Sequence, residues 1–214
     1  MISSLENGPA SGSTLTSAWR SIIRNNFETH PLKPGLSQAV ATLKAAMPFV
    51  LLAAFVYMLA AVAGWIYSED LDILKLQFEQ LAERFQGLGP FEFMARIFVH
   101  NLVASYLAMC LVVLYGLIPL CLAAFNGLLL GWFAGWMEGV SWIQLAFLLV
   151  PHGIFEWPAM FVAFGVGIWR GLGHLLGSET LSWFQRWKKA HLVYLFFVVP
   201  LLFVAAVVES RYHF

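Results

Sequence analysis

Charge is what this chain has least of. Twelve basic and twelve acidic side chains in 214 residues make up 11 % of it, where a soluble chain carries about a quarter. That leaves too little polar surface to solvate a globular domain of this length. The two signs also cancel, so nothing favours a nucleic-acid partner. Cysteine is nearly absent. Cys110 and Cys121 both lie in apolar windows without metal-ligand spacing, and they read as small packing hydrophobes. The short alternating segments of a β-barrel are missing. So are His-Glu-x-x-His, Gly-x-Ser-x-Gly, the phosphate-binding glycine loop and the dinucleotide fingerprint, which removes the common hydrolase and nucleotide-binding readings and gives no cofactor to expect. The opening "MISSLENGPASGSTLTS" is polar and Gly/Ser-rich, without the basic, apolar and small-residue succession of a cleaved signal peptide.

What the chain does have is apolar length. Hydrophobic residues make up 60 % of it, and windows of about 20 apolar residues recur, enough for a helix to cross roughly 30 Å of hydrocarbon. The fold class is therefore all-α: a polytopic helical membrane bundle of about five crossings. Residues 1–17 read as a flexible tail, and "SAWRSIIRNNFETH" as a short interfacial helix with Arg20 and Arg24 beside Trp19, Ile22, Ile23 and Phe27. "PLKPG" breaks the chain, so residues 1–44 form a cytoplasmic N-terminal segment and 45–209 the transmembrane domain. The spans fall at about 45–67, 97–115, 117–137, 142–169 and 190–208. Residues 69–86 interrupt them with an external amphipathic helix whose Leu71, Leu74, Phe78, Leu81 and Phe85 repeat in steps of three and four; this face needs a cover from membrane, partner or second copy. Gly127, Gly131 and Gly135 form a smooth stripe where another helix, of this chain or of a homodimer, approaches closely. As a straight helix, 142–169 is about 42 Å long, too long for the hydrocarbon. It tilts, or breaks at Pro151-His152-Gly153, with Pro158 a second breaker.

Basic residues set the orientation. With the N-terminus cytoplasmic, Arg20, Arg24, Lys33, Lys44, Arg170, Arg186, Lys188 and Lys189 fall inside, and Lys75, Arg84, Arg96, Arg211 and most acids outside. The expected location is the cytoplasmic (inner) membrane.

Four polar residues lie at bilayer depth: Asn101, Asn126, His152 and Glu156. His152 and Glu156 are four apart and share a helical face. A carboxylate there costs several kcal/mol unless it is paired or faces water. The four side chains suit a closed hydrogen-bond network that satisfies the proline-freed carbonyls, or a polar site for a ligand or proton. A metal has only His152 and Glu156, with His100 as a third candidate ligand that sequence does not place.

"PHGIFEWPA" (151–159), "FVHNLVAS" (98–105) and "FNGLLLG" (125–131) together resemble, in order, the stage II sporulation protein M family. Its marked positions fall on Asn101, Asn126, Gly131, His152, Gly153, Glu156, Pro158 and Ala159. The resemblance implies a polytopic membrane protein without an established enzymatic activity, working as a scaffold for partners such as cell-wall-remodelling enzymes or an AAA-type ATPase. The first functional expectation is thus a non-enzymatic scaffold among membrane lipids and membrane proteins. The second is a small permease or lipid-translocating protein with its polar site at His152 and Glu156. The third is an intramembrane metal-dependent hydrolase. Water or a ligand at Glu156 favours the second; a dry, closed network favours the first.

Overall fold

The computed structural model describes residues 32–83, 86–137, 139–176 and 181–212. The expected tail and interfacial helix at 1–31, together with Phe85 and Arg84, lie outside them. The chain divides into Met1–Ser37 and Gln38–Phe214; within the first unit, residues 32–37 are helical, and the site belongs to the second.

Every regular element among the described residues is helical: α1 (Leu32–Ile66), a 3-10 turn (Ser68–Asp70), α2 (Asp72–Glu83), α3 (Pro90–Cys110), α4 (Val113–Trp136), α5 (Trp142–Leu176), α6 (Trp183–Val193), a π turn (Tyr194–Val198) and α7 (Val199–Tyr212). Lys33–Ile66, Pro90–Cys110, Leu114–Trp136 and Trp183–Arg211 are long and apolar enough to cross a membrane. At 35 residues, α5 is about 52 Å long.

Two expected breaks are absent. "PLKPG" does not separate a cytoplasmic segment from the first span, because α1 already runs from Leu32. Pro34 falls in its first turn, where the amide has no partner inside the helix and its loss costs nothing. Nor does Pro151-His152-Gly153 interrupt the fourth span, since α5 is one helix through it. Each proline deletes a single bond of the ladder, and the adjoining turns hold the helix together. The excess length is absorbed at the far end, where residues 163–171 are continuously buried by protein.

The turn between the spans expected at about 97–115 and 117–137 falls at the start of α4. Leu114, Tyr115 and Gly116 have φ of 55°, 58° and 92°, the left-handed region that turns the chain back after α3. This turn rests on α5: a methyl group at Gly116 would stand 2.9 Å from the Ile168 Cα, and one at Gly171 would strike the Tyr115 backbone. The left-handed turn is thereby fixed by backbone contact with α5.

α5 occupies the middle of the bundle, packing against α3, α4, α6 and α7. Its buried residues include Ala159, Ala163, Phe164, Val166 and Ile168, and small residues recur at the crossings, as expected where helices associate by close packing. Before Pro200 the last rod widens into the π turn, with the Val199 amide donating to the Tyr194 carbonyl. Extra backbone thus accommodates the proline without ending the rod.

Candidate functional site

The glycine stripe of α4 determines how close α1 lies. A methyl group at Gly127 would collide with the Tyr57 carbonyl, and one at Gly131 with the Ala61 carbonyl. Gly64 meets the Leu128 carbonyl from the other side, and Gly135 faces the Ser68 hydroxyl. The stripe is therefore used within the chain, by α1. The neighbouring face of α4, carrying Asn126, Leu129, Leu130 and Phe133, turns elsewhere. It lines a partly open chamber of about 510 Å³ bordered also by α1, α2 and α5.

From α5 the chamber receives Leu149, Glu156, Trp157 and Met160. Leu149, Gly153, Glu156 and Met160 recur at helical spacing, so the carboxyl group shares a face with two apolar walls. Gly153 has a role other than breaking the helix: the Trp157 indole lies back over it, with ring atoms 2.9 Å from where a Cβ would stand. Tyr57 of α1 enters beside Trp157 (ring centroids 6.4 Å apart) and edge-on to Phe161 (5.1 Å). α2 forms the cover. Leu74 is buried, and Phe78 sits in an aromatic bowl made by Trp132, Phe133 and Trp136, at 6.0, 5.0 and 6.2 Å. Of the amphipathic face of α2, Leu74 and Phe78 are thus directed at the chain's own α4.

Asn126 and Glu156 line the same chamber. The Asn126 Nδ2 donates back to the Leu122 carbonyl at 2.8 Å, using one of its two N–H donors. Asn101, half-buried on α3, and His100, exposed on the same helix, are not among the lining residues, because α3 contributes none of the walls. By register His152 falls on the Glu156 face of α5; its side chain lies outside the described residues. Pro158 is exposed on α5. Of the four polar residues expected at depth, Asn126 and Glu156 line one pocket and Asn101 does not. Among the described residues no three His, Cys, Asp or Glu side chains gather, and the lining residues include no Ser, Thr or Cys nucleophile.

A second polar cluster lies at the other end of α5, and sequence reasoning missed it. Arg170, only 3 % exposed, donates from Nη1 to the Met109 carbonyl at 2.8 Å and stacks under Trp183 (5.6 Å). Met109 is in the last turn of α3, whose carbonyls have no partner within the helix. Arg170 is therefore a cap on α3, favoured also by the negative end of the helix dipole. Beside it the Tyr106 hydroxyl pairs with His191 Nε2 (2.9 Å), and the Tyr194 hydroxyl donates to the Leu102 carbonyl (2.6 Å) and meets Ser105 Oγ (3.1 Å). Arg186, equally buried, lies over Trp169 at 5.0 Å. The available signal was an arginine following an unbroken apolar run, which reads the same whether it is solvated or caps a neighbour.

No curated protein and no solved structure matches the chain. The family model described as Stage II sporulation protein M matches residues 50–211, which holds every wall of the chamber and the Arg170 cluster, and the chain belongs to that family.

Proposed function

We propose that this member of the family is a non-enzymatic, multi-pass membrane protein that admits a small amphiphile from the bilayer into the chamber between α1, α4 and α5, as a small permease or lipid-translocating protein does. One observation carries the reading: Glu156 lines a pocket of about 510 Å³, a volume typical of ligand sites. The walls are mostly apolar with a few polar groups, the pattern that holds a ligand body and fixes its head. The orientation we adopt, N-terminus cytoplasmic in the inner membrane, follows the basic residues.

The test is retention. Protein purified in a neutral maltoside detergent is extracted and its bound lipids are measured by mass spectrometry, for wild type and for Leu130→Trp, which fills the chamber from α4. Stoichiometric lipid or lipid-like cargo in the wild type, lost from a folded Leu130→Trp protein, is the expected result. Equal retention by both proteins would remove the reading.

A scaffold role for partner proteins is the second reading, and one feature favours it. Leu51, Phe55, Leu59, Val62 and Ile66 of α1 are each more than half exposed and recur at steps of three and four, a stripe wide enough for a partner helix. The partners implied by the family resemblance, cell-wall-remodelling enzymes or an AAA-type ATPase, would approach there. A photo-crosslinker at Phe55 that captures a defined membrane protein in cells would move the weight to this reading; capture of lipid alone would not.

A further inference from the structure

We infer that the chamber opens sideways into the bilayer as a slot one leaflet deep, and that it takes the acyl chain of a phospholipid from the leaflet on the α2 side. This rests on the proposed uptake of an amphiphile and names the ligand and its direction of entry. The lining residues locate the opening. Tyr57, Leu74, Trp132 and Met160 are buried, whereas Phe78, Gln80 and Phe125 line the same chamber and are exposed. A side chain that borders a cavity and also faces outward stands at its mouth. The mouth therefore runs from Phe78 and Gln80 on α2 to Phe125 on α4. Seams between the helices elsewhere are closed by close approach. A Cβ at Gly127 or Gly131 would strike α1, one at Gly165 would strike the Val50 backbone, and one at Gly167 would meet Pro119.

Depth then identifies what enters. Phe125 is eleven residues from either end of the apolar span Leu114–Trp136. Eleven residues of helix rise about 16 Å, half of the roughly 30 Å of hydrocarbon. One end of the mouth is thus at the bilayer midplane, where lipid chains end. The other is at the membrane face, because Phe78 of α2 rests on Trp132, Phe133 and Trp136 in the last turns of that span. A chain from this leaflet matches the slot end to end, with its ester and headgroup beside the Gln80 amide, which both donates and accepts. The chain moves from one apolar surrounding to another and gives Leu129, Leu130 and Met160 atoms to pack against. Asn126 and Glu156 are engaged within the protein, so a hydrocarbon tail passes them without leaving either unpaired.

Two photoreactive lipids decide it. The full chain is reconstituted in vesicles of phosphatidylethanolamine and phosphatidylglycerol with a trace of phosphatidylcholine. That lipid carries a diazirine at the terminal carbon of one chain or, in a second preparation, next to the ester. After illumination the modified residues are read by peptide mass spectrometry. The terminal-carbon probe is expected to modify Tyr57 or Met160, buried walls that bulk lipid does not reach, and the ester-proximal probe to modify α2 around Gln80 and spare those walls. Leu130→Trp should cut the wall labelling about tenfold, the scale of an overpacked contact, and leave labelling of the exposed Leu51 and Phe55 unchanged. Should Leu130→Trp fail to fold, the two probes on the wild type decide alone. Wall labelling by the ester-proximal probe as strong as by the terminal-carbon probe, or wall labelling untouched in a folded Leu130→Trp, overturns the inference. Labelling confined to outward faces also overturns it. In that case the chamber reading stands if Leu130→Trp still loses its lipid, and both fall if it loses nothing.

Discussion

At the scale of the residue, Arg170 shows how a single charge at the end of an apolar helix becomes structural. Its guanidinium is buried, bonded to the Met109 carbonyl and covered by Trp183. A hydrogen bond from a charged group contributes about 1.5–3 kcal/mol. Arg170→Leu should therefore lower the stability of the bundle by about 2 kcal/mol, the loss of that bond. Arg170→Lys should recover only part of it, because an ammonium lacks the planar fork that bonds the carbonyl and stacks on an indole at once. Thermal midpoints of the two variants check this; equal midpoints for Arg170→Lys and wild type would reduce the residue to a point charge. Gly131 sits at the opposite extreme of size. Since its missing side chain lets the Ala61 carbonyl approach, Gly131→Leu has to separate two backbones. Overpacking of this kind costs about 1–3 kcal/mol or more, and the same displacement would move Tyr57 out of the chamber. Loss of both stability and bound amphiphile is expected. A stable Gly131→Leu protein with its ligand retained would mean that the helices part there without consequence.

At the scale of the element, α2 is the cover of the chamber and hangs largely on one side chain. Phe78 fills the bowl of Trp132, Phe133 and Trp136, with Leu74 buried one turn before it. Each aromatic pair adds about 0.5–1.5 kcal/mol beyond its buried area. Phe78→Ala should therefore loosen α2 more than the bundle, and amide hydrogen exchange across 72–83 should accelerate while that of α5 stays unchanged. Uniform acceleration, or none, would contradict a separately anchored cover. α2 was legible beforehand, because apolar residues at steps of three and four between charges specify a helix and its buried face at once. What lay opposite that face was not legible, since the bowl is made by residues more than fifty positions away. The glycine spacing likewise announced a close crossing without naming α1 as its partner. Local signals misled where the surroundings overrode them. The prolines at 151 and 158 predict a break from their own geometry, yet the turns around them carry α5 through. Pro34 reads as a stop and sits in a first turn. The left-handed positions at Leu114 and Tyr115 had no signal, because neither residue favours that conformation; the turn rests on α5 where Gly116 meets Ile168 and Tyr115 meets Gly171. Glu156 was visible as a carboxylate at depth. The chamber it faces was not, because a cavity is a property of how several helices stand together and no one of them encodes it.

At the scale of the whole molecule, the helices order the ends of the bundle. α1, α3, α4, α5 and the α6–α7 rod are the long elements, and if each crosses once, the turns at 86–89 and 139–141 share one face of the membrane and those at 111–113 and 181–182 the other. The Arg170 cluster and the chamber cover then belong to opposite faces. Which face is cytoplasmic depends on solvated basic residues, and the structure changes that count. Arg170 and Arg186 are buried and hold their positions for packing reasons, so they say little about orientation. On their side, Lys188 is exposed and Lys189 half-buried. On the other, Arg96 is bonded to Glu92 at 2.9 Å and Lys75 is engaged by Trp136, in a segment that also carries Glu69, Asp70, Glu79 and Glu83. The orientation proposed above, with the α6 end inside, still follows the bias of the remaining basic residues. Cysteine labelling reads this directly. With Cys110 and Cys121 replaced by alanine, Val140→Cys and Lys188→Cys place single thiols at exposed positions at the two ends of the bundle. A membrane-impermeant maleimide on intact cells should label Val140→Cys and spare Lys188→Cys until the membrane is opened. Labelling of both from one side would overturn the single crossing by α5. The reverse pattern would keep the crossings, turn the protein over, and place the aromatic cover of the chamber towards the cytoplasm.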